Sequence, residues 1–384
     1  MDEAPSVGLV LTGGGARGAY QAGVLRAIAQ RLGPRRPSPF RVVTGVSAGA
    51  VNAAFVAAHA DDFDMATRRL WELWASLRVS DVYETGPVEL SRTGLRLAAE
   101  LSLGAWVHGP RTNHLLDTRP LRRLLEAQLD LPSIARRLED GTLGAVAVSA
   151  TNYGTGTSVT FFDGAARLAP WVRTSRLSTR VELTPAHVLA SAALPIFFPP
   201  VRIGNGYFGD GCIRNGTPLS AAIRLGADRL LAIGVRELSS PESTRWKNET
   251  AFLTDQPPLA RIAGVLLNAV FLDSLETDVE RARRINDTLG HIPLGERRAL
   301  PLRRLPLMAI RPSRSLSTLG TDLLDSFSPP VQHLLRGLGA SRDTGRDLMS
   351  FLAFDQSYTE PLLKLGLEDG LAHGGAVDEL LSAA

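Results

Sequence analysis

Short apolar runs alternate with helical patterns through the first sixty residues. Residues 7–12, VGLVLT, form an apolar run that ends at glycines, the pattern of a strand buried on both faces. Ala19–Leu32 then puts Val24, Leu25 and Ile28 on one helical face, and Gly33-Pro34 ends it. Arg41–Thr44 predicts a second short strand. Residues 48–60, AGAVNAAFVAAHA, are small, apolar and helix-prone. Strand, glycine turn, helix, strand, tight turn, helix is the opening of an α/β fold.

Residues 63–138 read as mostly helical, broken at Gly86-Pro87, Gly109-Pro110, Pro120 and Pro132. Trp71, Trp74 and Trp106 fall here and read as packing residues; the block is a candidate cap over a site. LGAVAVSA at 143–150 predicts another buried strand, with Ser158–Phe162 as its hairpin partner after a turn at Asn152. Thr184-Pro185 is a cap-plus-proline helix start, with the helix running to about Ala193, and Thr217-Pro218 repeats the signal ahead of a helix closed by Gly226. Asp228–Val235 predicts a strand. The polar segment 236–258 reads as a loop and marks the expected boundary. Residues 6–236 would form one unit, and 237–384 a mainly helical extension packed on it. Within the extension, 259–285 predicts one long amphipathic helix and Leu305–Ile310 a strand.

Composition narrows the class. The chain has 384 residues, 44% hydrophobic and 21% charged, which excludes a disordered chain, a collagen or a disulfide scaffold. Cys212 is the single cysteine, so neither an internal disulfide nor a CxxC metal or redox pair can form. Lys and Arg number 42 against 39 acidic residues, and only Lys247 and Lys364 are lysine. No arginine-rich tail or RNP-type motif accompanies the arginines, so no nucleic-acid partner is expected. The N-terminus lacks a basic segment followed by an apolar run, and no apolar stretch reaches transmembrane length. The expectation is a cytoplasmic protein with no transmembrane segment, whose membrane contact is peripheral. The segment 259–275 and the arginine-dense Arg281–Arg314 are its candidates, against a plain reading as a core helix and a solvated basic face.

Three places carry chemistry. Gly13-Gly14-Gly15-Ala16-Arg17-Gly18 joins a strand to a helix, where backbone N–H groups and the helix N-terminus suit an anion, either a phosphate or a developing oxyanion. Gly13, Gly15 and Gly18 also satisfy GxGxxG. A dinucleotide site of that kind requires an acidic residue about 20 positions on, yet no Asp or Glu occurs between Glu3 and Asp61. Gly45-Val46-Ser47-Ala48-Gly49 is GxSxG between a strand and a helix, the setting of a nucleophile elbow. Gly209-Asp210-Gly211 reads as a turn until a serine nucleophile needs a base. His291, His333 and His373 follow Asp210 in the order a Ser-Asp-His triad requires, so a histidine-assisted thioesterase or acyltransferase stays open. Arg17 reads either as a structural salt link or as a substrate-phosphate contact, and Asn52 as helix packing or a local hydrogen bond.

Taken together, these blocks resemble the patatin-like phospholipases. LVLTGGGARGAYQAGVL resembles that family's glycine-rich block, TGVSAGAVNAA its nucleophile block, and ASAALPIFFPPV and YFGDGCIRNGTPLSAAIRLGADRLLAIGV its aspartate region. The order and spacing agree over about residues 6–236. LLNAVFLDSLETDVERARRIN and LLKLGLEDGL resemble later parts of bacterial members.

The resemblance implies a three-layer α/β/α fold with a largely parallel central sheet and additional C-terminal helices. It implies a lipid or ester substrate, no cofactor and no metal. It also implies a Ser–Asp dyad, with Ser47 as nucleophile and Asp210 as general base, and an oxyanion held by the amides of Gly14, Gly15 and Ala16. Cys212 departs from the family's Asp-Gly-Gly or Asp-Gly-Ala and reads as a small filler or as a thiol beside the site.

Overall fold

Strands β1 (Val7–Leu11) and β2 (Phe40–Val46), with helices α1 (Ala19–Leu32) and α2 (Ala48–Ala58), form the opening unit. Helices α3 (Phe63–Ser76), α4 (Val79–Val82), α5 (Pro87–Leu103), α6 (Arg119–Gln128) and α7 (Ser133–Glu139) follow. Strands β3 (Ala145–Asn152), β4 (Thr157–Gly164), β5 (Val172–Arg173) and β6 (Arg176–Arg180) lead to α8 (Pro185–Ser191). The hairpin β7 (Val201–Ile203) and β8 (Gly206–Asp210) precedes α9 (Leu219–Arg224) and β9 (Arg229–Ile233). Beyond lie α10 (Pro241–Thr250), α11 (Leu259–Phe271), α12 (Asp273–Gly290), α13 (Leu294–Arg297) and β10 (Leu307–Ile310). Helices α14 (Pro329–Gly337), α15 (Arg346–Leu352), α16 (Gln356–Ala372) and α17 (Gly374–Ser382) close the chain. This computed structural model describes residues 6–103, 112–238, 240–250, 256–297, 299–320 and 322–382. Trp106 and the Gly109-Pro110 break lie outside the described residues.

All the strands among the described residues join one ten-stranded mixed sheet, in the order β10-β9-β1-β2-β3-β4-β6-β5, with β8 pairing β3 and β7 pairing β8. From β10 to β3 every pairing is parallel, while β4 returns antiparallel to β3. Helices cover both faces, so β1 and β9 are buried along their whole length. Alternate residues feed two cores. Val146, Val148 and Ala150 of β3 join the larger cluster, and Ala145 and Ala147 the smaller one. This is the α/β/α arrangement with a largely parallel sheet that the family resemblance implied.

The segment after 236 adds β10 to the sheet edge and lays α16 along α1. The two helices approach through small residues. A Cβ at Gly23 would strike the Leu363 carbonyl, and one at Gly366 the Tyr20 carbonyl. Tyr20 Oη donates to Asp369 Oδ2 at 2.9 Å, and burial pushes the Tyr20 phenol well above its usual pKa.

Two local expectations are corrected. The single helix over 259–285 is two helices, α11 and α12, meeting at Leu272 (φ −116°, ψ −26°). The apolar pattern continued across the joint because Leu272 and Leu275 are both buried. The loop 236–258 contains helix α10, whose polar, mostly exposed sequence carried no apolar periodicity to announce it.

Candidate active site

Ser47 sits where β2 turns into α2, with φ 56° and ψ −127°, a strained backbone for a residue with a Cβ. Such a turn needs neighbours without side chains. Gly45 faces the Gly49 carbonyl, and a Cβ at Gly49 would strike the carbonyl oxygens of Leu11 and Thr12. Ser47 N–H donates to Ser191 Oγ at 3.0 Å, and Ser191 Oγ donates to the Ser149 carbonyl at 2.6 Å. The elbow is therefore tied to α8 and to β3.

Register brings Asp210 to it. Strand β2 pairs β3 as far as Val46↔Ser149, and β8 takes over the same edge of β3 at Asp210↔Ala150. The two strands meet end to end, so the residue leaving β2 and the last residue of β8 become neighbours. Asp210 N–H donates to the Ala193 carbonyl at 2.9 Å, and Thr151 Oγ1 donates to the Asp210 carbonyl at 2.8 Å. The backbone is clamped on both sides.

The Asp210 side chain is fully buried. Its Oδ1 accepts from Cys212 N–H at 2.9 Å, while Oδ2 has no hydrogen-bond partner. Burial pushes the carboxyl up to about 7, and the nearby Ser47 hydroxyl and Cys212 only partly offset this. Ser47 thus favours the charged carboxylate without forming a bond of normal length to Oδ2. Loose contacts of this kind are usual in unliganded sites. Gly211 packs on the Ser149 carbonyl. Cys212 is half-buried, with its Sγ between the Gly13 backbone and Asp210, and burial and the Asp210 charge push the thiol up. At neutral pH it is an uncharged group against the carboxyl.

The glycine loop closes the third side. Gly13 lies against Ser47 and Cys212, Gly14 against Val235, and Gly18 against Ala48 and Trp74. Gly15 takes φ 57°, and a Cβ there would strike the Phe351 carbonyl on α15. This close packing accounts for the glycines that read as GxGxxG. Ala16 is buried. Among the described residues, no protein acceptor takes the N–H of Gly14, Gly15 or Ala16. Arg17 turns away from Ser47. Its guanidinium reaches Ser350 Oγ at 2.7 Å, Asp347 Oδ1 at 3.0 Å and Asn268 Oδ1 at 3.4 Å, and lies 4.5 Å from the Phe351 ring. Those partners use it as a structural link.

Gln21 and Ser191, which sequence reasoning missed, join Asn52, read as packing or a local hydrogen bond, and Trp74, read as packing, in holding the loop and the elbow in place. Gln21 Nε2 donates to the Thr12 carbonyl at 2.8 Å, and Asn52 Nδ2 to Gln21 Oε1 at 2.9 Å. Trp74 Nε1 donates to Asn52 Oδ1 at 2.8 Å. Ser191, the hydroxyl inside the apolar stretch ASAALP, was the one readable signal.

A pocket opens onto Ser47, Gly15 and Ala48 and is walled by apolar side chains from α3, α6 and α15, among them Trp74, Leu121, Leu125 and Phe351. No histidine lines it among the described residues. His291, His333 and His373 are exposed, and His59 and His187 hydrogen-bond within their own helical segments.

Residues 9–223, more than half of the chain, match the patatin-like phospholipase family. The cGAMP-activated phospholipase of Pseudomonas aeruginosa is 29% identical over 214 residues, covering 55% of this chain and 53% of that protein. The chain therefore matches about half the length of this curated relative. Among solved structures, human GIVD cytosolic phospholipase A2 is 14% identical at a TM-score of 0.45, covering 99% of this chain and 60% of that one. VipD from Legionella pneumophila is 15% identical at a TM-score of 0.37, covering 94% and 67%. With the family's matched region spanning the glycine loop, the elbow and Asp210, the chain belongs to the patatin-like phospholipases.

Proposed function

We propose that the protein is a lipid acyl hydrolase that cleaves carboxylic esters through an acyl-enzyme on Ser47. Asp210 acts as general base, and the amides of Gly14, Gly15 and Ala16 receive the oxyanion. The carrying observation is the buried Asp210 carboxyl, raised to about 7, with one oxygen unpartnered beside Ser47. A carboxylate with a solution pKa near 4 is a poor base for a hydroxyl, and desolvation raises its basicity into the working range.

In this reading Asp210 accepts the Ser47 proton as Oγ attacks the ester carbonyl. Negative charge develops on the carbonyl oxygen, where the open amides of the loop offset it; each such donor is worth about 10²–10³ in rate. The alcohol leaves with the proton from Asp210. A water then attacks the acyl-enzyme, with the same carboxylate taking its proton; the Ser47 Oγ–acyl bond breaks, Asp210 returns the proton to Oγ, and the fatty acid leaves. The apolar pocket takes the acyl chain, with 63–138 as its cap and 6–236 as the catalytic unit on which 237–384 packs.

The lipid is met at a surface. Leu259, Ile262, Val265, Leu266 and Val270 form an exposed apolar stripe on α11, whose buried Phe271 packs beside Gly13. We read this stripe as the peripheral membrane contact. No helix among the described residues is long and apolar enough to cross a membrane.

The test compares the parent protein with Ser47→Ala and Asp210→Asn on a short nitrophenyl ester and on phospholipid vesicles. Both variants are expected to lose about 10³-fold or more. Activity that survives Ser47→Ala overturns the reading. A fluorophosphonate probe that labels the parent and not Ser47→Ala reports the nucleophile independently of substrate choice.

A further inference from the structure

A second cavity lies on the opposite face of the sheet. Along β4, Val159 and Phe161 join the larger core with the walls of the acyl pocket, and Phe162 joins the smaller one. By that alternation Ser158 and Thr160 face the smaller core's side, and they line this cavity with Arg173, Arg176, Thr217 and Arg224. It is separate from the place where the ester would be cleaved, and it does not rest on the hydrolase reading.

Three guanidinium groups converge there with little to balance them. Among the described residues, none of Arg173, Arg176 and Arg224 has a carboxylate within 4.0 Å, whereas Arg17, Arg26, Arg137 and Arg311 each do; Arg176 is half-buried, and Arg173 and Arg224 are exposed. Arg176 donates to Thr217 Oγ1, and Arg224 lies 5.7 Å from the Trp171 ring. Asp278 feels the Arg176 charge, but its Oδ2 is engaged by the Leu219 N–H at 3.0 Å. Burial and the charges of Arg173 and Arg176 make the Arg224 cation harder to hold, the sign of like charges gathered without a counterion. The whole chain carries only +3, so the concentration is local.

The donor set selects the anion. Guanidinium forks match phosphate oxygens in pairs, and Ser158, Thr160, Thr217 and Ser220 add hydroxyls around them. A carboxylate offers too few acceptor positions for three forks and these hydroxyls. The ring of Trp171 stacks on Phe162 at 5.6 Å on one side and meets Arg224 on the other, so no aromatic face is left for a base. We propose that this cavity binds a phosphate group, carried either by a small soluble molecule or by a lipid head group. Asn215, which also lines it, donates its N–H to the Gly211 carbonyl at 3.0 Å, which places the ligand one turn from Asp210.

Calorimetric titration of the full chain with pyrophosphate, and separately with phosphatidylcholine vesicles with and without phosphatidic acid, tests this. Saturable binding is expected, weakened about tenfold or more in the Arg173→Gln/Arg224→Gln variant. Pyrophosphate binding assigns a soluble ligand. Binding confined to phosphatidic-acid vesicles and lost in the variant assigns a head group. Ser220→Asp, which supplies an internal anion, is expected to block binding and raise the melting temperature. No saturable binding to either probe overturns the proposal, as does equal binding by the double variant with its melting temperature unchanged.

Discussion

Val46 and Asp210 occupy consecutive positions along one edge of β3, opposite Ser149 and Ala150 respectively. One strand arrives parallel and the other antiparallel, and both end at this junction. Ser47 and Asp210 are neighbours because Ser47 follows Val46 directly. Nothing in the 162 residues between Ser47 and Asp210 needs to carry chemistry for the pair to meet, but much of it must fold to fix that register.

The Asp210 carboxyl titrates near 7 in the folded protein and near 4 when unfolded. Below the unfolded value both states hold the proton and the residue costs nothing. As pH rises through 4 to 7 the unfolded chain loses its proton while the folded one keeps it, so stability falls across that window. Asp210→Asn is therefore expected to melt higher than the parent at pH 8, with the gap closing by pH 4. Ester hydrolysis by the parent is expected to fall about tenfold per unit below pH 7. A rate that stays flat from pH 8 to pH 5 would count against Asp210 as the base.

Ser191→Ala leaves the buried Ser47 N–H and Ser149 carbonyl without their partner. The expected cost is about 1–3 kcal/mol in urea unfolding, with kcat lowered and KM little changed because only the elbow loses its tether. A variant with wild-type kcat would show that the turn is held by its glycines alone.

Leu125 is buried in the wall of the pocket. Leu125→Trp is expected to narrow it, at about 1–3 kcal/mol in stability. Hydrolysis of long-chain esters should fall more than that of acetate or butyrate esters. Equal losses across chain lengths would place the acyl chain elsewhere.

Val265 and Leu266 are about 60% exposed on α11. Val265→Glu/Leu266→Glu is expected to abolish flotation with phospholipid vesicles and leave turnover of a soluble ester intact. Flotation that persists in this variant removes α11 as the membrane face.

The glycine loop, the elbow and the Gly-Asp-Gly turn were legible because each is a local steric necessity. A chain that must bring a carbonyl against a glycine, or hold a serine at positive φ, spells that need out within five or six residues. The alternation of apolar runs gave the α/β class for the same reason. The break at Leu272 and the polar helix α10 were not legible. The first hides inside a continuous apolar pattern, and the second has none.

What the chain determined by itself was the identity of the candidate groups and their order, since each motif is set by neighbours in sequence. What only the tertiary structure decided was their meeting and their environment. Arg17 reads equally well as a phosphate contact or a salt link until α15 supplies Ser350 and Asp347 to hold it. Asp210 is an ordinary turn aspartate until β3 buries it beside Ser47 and leaves one oxygen unpartnered. Burial and hydrogen-bond partners come from residues tens to hundreds of positions away. Both the pKa of a carboxyl and the direction of a guanidinium follow from them.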